Sequence, residues 1–251
     1  VTSRDDGPDG RPLLSFVVPV KNEAENIPAL VDEIAEAGAR IGPFEAIFVD
    51  DGSDDATPAV LADLRRARPW LRHLRHGASA GQSAAVRSGV RAARAPIVAT
   101  LDGDGQNDPG YIPAMYDQLV AAEAGVGLVQ GQRERRTDTR FKQLQSRVAN
   151  GVRGAMLRDG TRDSGCGLKV FRREAYLAAA FFGATHRFLP ALIQREGYAV
   201  IHHAVTDRPR RHGASHYRTG KRAIQGLVDL VGVWWLIRRM KRPPSVSEVD
   251  P

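Results

Sequence analysis

Ile97-Val98-Ala99-Thr100-Leu101-Asp102-Gly103-Asp104-Gly105-Gln106 is an apolar run that stops on two carboxylates one glycine apart. The run reads as a short buried strand. If the chain stays extended beyond it, residues i and i+2 project to the same side, so Asp102, Asp104 and Gln106 converge on one point. Two carboxylates and an amide oxygen are hard donors suited to Mg2+ or Mn2+ held together with a ligand's phosphates. Asp-Gly-Asp-Gly is also ordinary turn chemistry. The motif alone leaves both readings open.

Upstream the same pattern recurs. Leu14 to Val20 is a strongly apolar strand that runs into Lys21-Asn22-Glu23, and Glu45 to Val49 is a second that closes on Asp50-Asp51-Gly52-Ser53. Helical periodicity follows each, through Ile27, Leu30, Val31 and Ile34, then through Val60, Leu61 and Leu64. A weaker strand at Leu71 to Leu74 and a helix at Gly81 to Ala93 lead to the opening stretch. Asp108 as N-cap and Pro109 at N1 start a helix to about Ala122, and Val126 to Val129 is a fifth strand. This alternation predicts an α/β fold, a doubly wound, mostly parallel sheet flanked by helices. Such sheets bind ligands beyond the carboxyl ends of their strands. Three polar clusters therefore share one edge, which stability alone does not explain.

The second half is less regular. Arg140 to Leu157 reads as a basic helix after a charged loop, Gly167 to Phe171 and Ala199 to Val205 as strands, and Arg173 to Ala180 and Phe188 to Glu196 as helices; His212 to Gly220 reads as a loop. Ala223 to Ile237 is apolar but broken by Gln225 and Asp229, and too short to span a bilayer. Trp234 and Trp235 beside Arg238, Arg239, Lys241 and Arg242 suit an interfacial helix with a basic flank; the alternative is a last helix docked on the core.

Residues 1–12 are polar, without the apolar core of a secretory signal, and are expected to be disordered. The 251 residues carry a net charge of +7, and ten Lys/Arg stand against two acids between Asp207 and Arg242. An anionic partner is expected. No aromatic-basic interleaving or nucleic-acid motif accompanies the charge, which argues for lipid or phosphorylated substrate instead. The single cysteine, Cys166, excludes an internal disulfide and reads as a buried thiol. His202-His203 lies in a strand pattern without the spaced ligands of a zinc site.

In order and spacing, Pro19-Val20-Lys21-Asn22-Glu23, Asp50-Asp51-Gly52-Ser53 and Asp102-Gly103-Asp104-Gly105-Gln106 resemble the family 2 glycosyltransferases of GT-A fold, nearest to those acting on polyprenyl phosphates, such as dolichyl-phosphate mannose synthase. Ser146-Arg147-Val148-Ala149-Asn150, Asp163 to Glu174 and Arg210-Arg211-His212-Gly213-Ala214-Ser215 extend the likeness across about Leu13 to Tyr217. The resemblance implies a GT-A domain over residues 13–217, followed by a basic, apolar helix and tail (218–251) that contacts a membrane surface. Pro19, Glu23, Asp50 or Asp51, and Asp102 would line the nucleotide pocket. Asp102, Asp104 and Gln106 would hold Mg2+ or Mn2+ on the donor diphosphate, Asp102 and Asp104 being the catalytic carboxylates. Arg133, Ser146, Arg147, Arg210 and Ser215 would hold the acceptor phosphate, with Asp163 placing the sugar or capping a turn. The partners implied are a nucleoside diphosphate sugar, UDP favoured over GDP-mannose, and a polyprenyl phosphate at the cytoplasmic face of a membrane. A homo-oligomer or an integral-membrane partner stays open.

Two departures bear on the chemistry. His216 stands where the subfamily usually has a lysine. His186-Arg187-Phe188 occupies the region where many inverting relatives place an acidic base. An alcohol acceptor needs such a base, whereas a phosphomonoester with a second pKa of about 6 is already largely dianionic at neutral pH. The missing acid is what a phosphate acceptor predicts. The rival readings are a glycosyltransferase acting on a saccharide or protein hydroxyl, a sugar-nucleotide pyrophosphorylase, which would carry a Gly-rich loop after the first strand, and a non-catalytic basic adaptor.

Overall fold

The computed structural model describes residues 10–133, 151–209 and 219–239, with the side chains of 219–224 excepted. Strands β1 (Leu14–Val20), β2 (Phe44–Asp50), β3 (Leu71–Arg75) and β4 (Ile97–Thr100) alternate with helices α1 (Ile27–Ala39), α2 (Thr57–Arg66) and α3 (Gln82–Ala92). A 3-10 turn (Pro109–Tyr111), α4 (Ile112–Ala121) and β5 (Val126–Arg133) follow. Then come β6 (Lys169–Arg172), α5 (Arg173–Ala178), α6 (Thr185–Arg195), β7 (Ala199–Val205) and α7 (Thr219–Arg239). Residues 151–157 are helical as well.

The strands form one seven-stranded sheet in the order β3-β2-β1-β4-β6-β5-β7. All pairings are parallel except those of β6, which runs antiparallel to β4 and β5. The predicted mostly parallel sheet is therefore present, with one reversed strand. Parallel strands are covered on both faces and read as continuous apolar runs, and β1 shows it: of its seven residues only Pro19 is not fully buried. Alternate side chains serve two cores. Leu14, Phe16, Val18 and Val20 pack with Ile27, Leu30, Val31 and Ile34 of α1, while Val17, Ile47 and Val49 pack with Ala85, Val86 and Val90 of α3. Proline in the first turn of α1, α2 and α4 supplies the fixed φ that starts each helix. Asp108 caps the 3-10 turn, accepting from Gly110 N at 2.8 Å.

The reversed strand has a positional consequence. The chain enters β6 at the edge where its parallel neighbours end, and Lys169 pairs with Thr100 of β4 and Gln130 of β5. The segment before β6 thus lies at the same edge as the segments after β1, β2, β4, β5 and β7. Helix α6 starts at Thr185, three residues earlier than its apolar pattern suggests, because Thr185 Oγ1 accepts from Phe182 N at 2.7 Å. His186 is consequently a first-turn residue rather than part of a loop.

The last helix docks on the core along one face and leaves another exposed. Leu230 and Val233 of α7 are buried against Phe188, Ala191 and Leu192 of α6 and Leu157. Leu227, Val228, Val231 and Trp235 stay 48–64% exposed. Arg238 and Arg239 stack over Trp234 and Trp235 at 4.4 and 5.8 Å. Among the described residues no helix is long and apolar enough to cross a membrane.

Close approach of α3 to the sheet requires Gly89, where a Cβ would stand 2.4 Å from Val17 Cγ1 and 3.1 Å from Val49 Cγ2. Alanine gains up to about 1 kcal/mol in helix propensity, but overpacking a buried site costs about 1–3 kcal/mol. Gly89→Ala is expected to lower the urea unfolding midpoint. Gly232→Ala in α7, where a Cβ meets open space, is expected to leave it unchanged or raise it.

Candidate functional site

Residues 102–106 form a turn, with Gly105 at φ +74°. The extended geometry that would have aligned Asp102, Asp104 and Gln106 is therefore absent. The turn itself brings the carboxylates close enough for Asp104 to raise the pKa of Asp102. Asp104 Oδ1 accepts from Gln106 N at 3.1 Å, and Gln106 O accepts from Arg208 N at 2.9 Å. Asp-Gly-Asp-Gly is thus a turn and a carboxylate pair at once.

Asp102 is held from three sides. Its N–H donates to Asn107 Oδ1 at 2.9 Å, and its Oδ1 accepts from Gln82 Nε2 at 2.7 Å. Gly167 closes the third side: a Cβ there would stand 2.5 Å from Asp102 Oδ2 and 2.3 Å from Asn107 Oδ1. Burial first, and Asp104 second, push the Asp102 carboxyl up to about 6, with Lys169 and Arg133 opposing and Asp207 adding to the rise.

Lys169 is the buried cation of this cluster. Its Nζ donates to Cys166 O, and burial lowers its pKa against the pull of Asp102 and Asp163. Arg133, at the end of β5, meets Asp163 through Nε at 2.5 Å and Nη2 at 2.8 Å, and Asp207 through Nη1 at 2.8 Å. Each nitrogen of the guanidinium of Arg133, the residue expected to hold acceptor phosphate, thus faces a carboxylate. Asp163, expected to place the sugar or cap a turn, anchors Arg133 and also accepts from Gly165 N at 3.3 Å.

The Asp50-Asp51 pair, expected at base and ribose, is also tied into the scaffold. Asp50 is fully buried and its Oδ1 accepts from Ser53 N at 2.8 Å, which is the turn-forming alternative. Asp51 accepts from His76 Nδ1, Ala80 N, Ser79 Oγ and Gly81 N, all at 2.7–2.8 Å. Burial alone would raise its pKa, but these bonds outweigh it and hold the carboxylate below its ordinary range. The same bonds fix residues 76–81, which lead into Gln82 and Ser83 of α3. Glu23 Oε2 accepts from Asn26 Nδ2 at 2.6 Å, and half-buried Pro19 borders the same edge. Asn22, left-handed at φ 57°, ties its loop to Ser53 and Asp54. Ser146, Arg147, Arg210 and Ser215, with His216, lie outside the described residues.

His186 completes the arrangement. Its Nδ1 lies 2.6 Å from Ser83 Oγ, which also accepts from His186 N at 3.2 Å. Burial, then Lys169 and Arg187, push the imidazole down to about 3, so it is neutral throughout the physiological range. Gln82, Ser83, Asn107 and Asp207 lie outside the quoted motifs, and Gly167 and Lys169 lie in one, Asp163 to Glu174, without an assigned role. Position could have found them, since they follow parallel strands or open the reversed one.

The donor set suits a hard divalent cation in one respect: half-buried Asp102 and buried Asp104 are neighbouring carboxylates that repel one another. Among the described residues no group of three or more His, Cys, Asp or Glu is placed to hold a metal. The protein would supply two carboxylates and leave the remaining positions to phosphate oxygens, the usual pattern for Mg2+.

A family model described as glycosyl transferase family 2 matches residues 15–178. A dodecaprenyl-phosphate galacturonate synthase of Rhizobium johnstonii is 36% identical over 243 residues, 92% of this chain and 69% of that protein. An undecaprenyl-phosphate 4-deoxy-4-formamido-L-arabinose transferase of Pectobacterium carotovorum is 31% identical over 208 residues, 81% of this chain and 62% of that one. The chain therefore spans about two thirds of the length of these relatives. In fold it resembles glucosyl-3-phosphoglycerate synthase from Mycobacterium tuberculosis in complex with Mn2+, uridine diphosphate and glucosyl-3-phosphoglycerate. The TM-score is 0.64 at 18% identity, over 91% of this chain and 80% of that chain.

The raised Asp102 carboxyl has a signature in stability. Between pH 3.8, its ordinary value, and about 6 the folded protein keeps a proton that the unfolded chain has released. Stability falls across that window and stays lowered above it. In metal-free buffer, Asp102→Asn should match the parent near pH 4 and exceed it at pH 7.5, by up to about 3 kcal/mol at roughly 1.4 kcal/mol per pKa unit. Urea unfolding at the two pH values reads this, and an Asn variant less stable at pH 7.5 contradicts it.

Proposed function

The chain belongs to glycosyl transferase family 2, and we propose that within it the protein moves one sugar, with inversion, from a nucleoside diphosphate sugar to a polyprenyl phosphate for cell-envelope glycan or lipid modification. One observation carries the acceptor class. A hydroxyl acceptor would need a base poised near neutrality; where many inverting relatives place an acidic one, this chain has His186, a half-buried imidazole depressed to about 3. A phosphate dianion attacks without losing a proton. The names of the two relatives, both enzymes of polyprenyl phosphates, support the same acceptor.

In this reading Asp102 and Asp104 hold Mg2+ or Mn2+ against the donor diphosphate, with the side-chain oxygen of Gln106 as a further candidate. A bound cation would act as a Lewis acid for the departing nucleoside diphosphate. Gln82 and Gly167 fix the Asp102 carboxylate, so it does not reorganise as charge develops. Pro19 and Glu23 border the nucleotide, on loops held by Asp50, Asp51 and Asn22. Arg147 and Arg210, with Ser146 and Ser215, hold the acceptor phosphate, a task that guanidinium suits through paired hydrogen bonds. UDP is favoured over GDP-mannose as the donor nucleotide, in keeping with the uridine diphosphate of the similar fold.

In this reading the exposed face of α7 lies on a bilayer. Its apolar residues and Trp235, ending in a basic flank, suit the headgroup region of the cytoplasmic leaflet. Helix α6 connects the two regions. His186 in its first turn reaches the site through Ser83, and Phe188, Ala191 and Leu192 carry α7.

Incubation with Mn2+, UDP-sugars or GDP-mannose, and either undecaprenyl phosphate or free saccharides decides the acceptor. Lipid-dependent release of nucleoside diphosphate is expected, and transfer to a saccharide hydroxyl alone overturns the proposal. Asp104→Asn should lower turnover by more than about 100-fold, the scale of losing one charge-stabilising group, with an unchanged circular dichroism spectrum.

A further inference from the structure

Ser83 fixes more than the position of His186. The hydroxyl of Ser83 is buried and has one proton. Its oxygen accepts the backbone N–H of His186 at 3.2 Å and lies 2.6 Å from His186 Nδ1. Among the described residues it has no other acceptor to donate to, so its proton goes to Nδ1. A neutral imidazole that accepts at Nδ1 carries its own proton on Nε2.

That assignment removes two of the three tasks an imidazole performs in a pocket. A protonated Nε2 has no lone pair for a metal, and Nδ1 is already occupied. Protonation of the ring is suppressed by burial and by Lys169, so it is a poor base at neutral pH. What is left is donation of one hydrogen bond, and Nε2 has no partner among the described residues. Gln82, the neighbour of Ser83 on the first turn of α3, donates to Asp102 Oδ1 at 2.7 Å. Two adjacent residues of α3, Gln82 and Ser83, thus link the carboxylate proposed to hold the cation to His186.

We propose that His186, locked by Ser83 as its Nε2–H tautomer, is a specificity-determining residue that donates a hydrogen bond to an oxygen of the transferred sugar. A dianionic phosphate is better held by cations such as arginine, whereas an uncharged donor suits a sugar hydroxyl or carboxylate oxygen. A pocket built to hydrogen-bond one oxygen discriminates strongly against a donor that lacks it, because the buried N–H is then left unpaired.

The proposal rests on the glycosyltransferase reading, and binding measurements separate the two. Calorimetry with Mn2+ would compare UDP alone with UDP-glucose, UDP-galactose, UDP-glucuronate and UDP-galacturonate. For the parent, at least one sugar should bind more tightly than UDP. His186→Phe, which keeps the ring without the donor, should erase that advantage by about 10-fold or more while UDP itself binds as before. His186→Gln should restore part of it. Equal weakening of UDP and UDP-sugar, or no change in either, overturns the proposal. Absence of UDP-sugar binding in the parent instead overturns the reading beneath it, and GDP-mannose is the control for the wrong nucleotide. Nitrogen-15 spectra of imidazole-labelled protein check the tautomer without any ligand. A proton on Nε2, shifting to a mixture in Ser83→Ala, is expected, and a proton on Nδ1 in the parent contradicts it.

Discussion

Charge balance inside a buried cluster governs this end of the molecule. Among the described residues, Asp102, Asp104, Asp163 and Asp207 gather around Lys169 and Arg133. Buried ions are costly unless each is matched, and the mismatch is visible in the raised Asp102 carboxyl. Asp163 and Asp207 are answered by the arginine. Asp102 shares the lysine with its surroundings, and Asp104 pushes its pKa up. Two carboxylates that repel one another suit a divalent cation, at the edge of the sheet where ligands of such folds bind. A site under this strain is stable only because the scaffold beneath it is over-determined, with two apolar cores on the two faces of β1 and β2.

The topology explains why so many charges meet. Parallel strands deliver the segments that follow them to one edge, and the antiparallel β6 delivers the segment that precedes it. Asp163, Cys166, Gly167 and Lys169 therefore face Asp102 across the end of β4. The same edge receives Asp207 from β7 and Gln82 and Ser83 from beyond β3. Asp207 and its neighbour Arg208, which pairs with Glu33 at 2.9 Å and Asp108 at 2.7 Å, tie the last strand to the loops of the first half.

Much of this was legible in the residues. Continuous apolar runs ending in polar clusters gave the strands of the parallel half and the edge on which the site lies, because period and turn chemistry agree there. Asp102 and Asp104 were found for a reason that proved incomplete, since a turn rather than an extended strand brings them together. The carboxylates that face Arg133 and the donors gathered on Asp51 were not legible, because a charged side chain in sequence does not reveal its intramolecular partners. The reversal of β6 was hidden for a similar reason: a four-residue buried strand has no directional signature, and only pairing decides its sense. His186 shows the limit most clearly. Its residue type invites a base or a metal ligand, and only burial beside Lys169 and the contact to Ser83 leave it a neutral donor.

The central claim, that Asp102 and Asp104 together hold one divalent cation shared with a nucleoside diphosphate, is tested most directly by electron paramagnetic resonance of Mn2+ titrated into the protein with and without UDP. One bound Mn2+ per chain is predicted when UDP is present, with weaker binding in its absence and none in Asp104→Asn. Binding of Mn2+ that ignores both UDP and the loss of Asp104 would contradict the account.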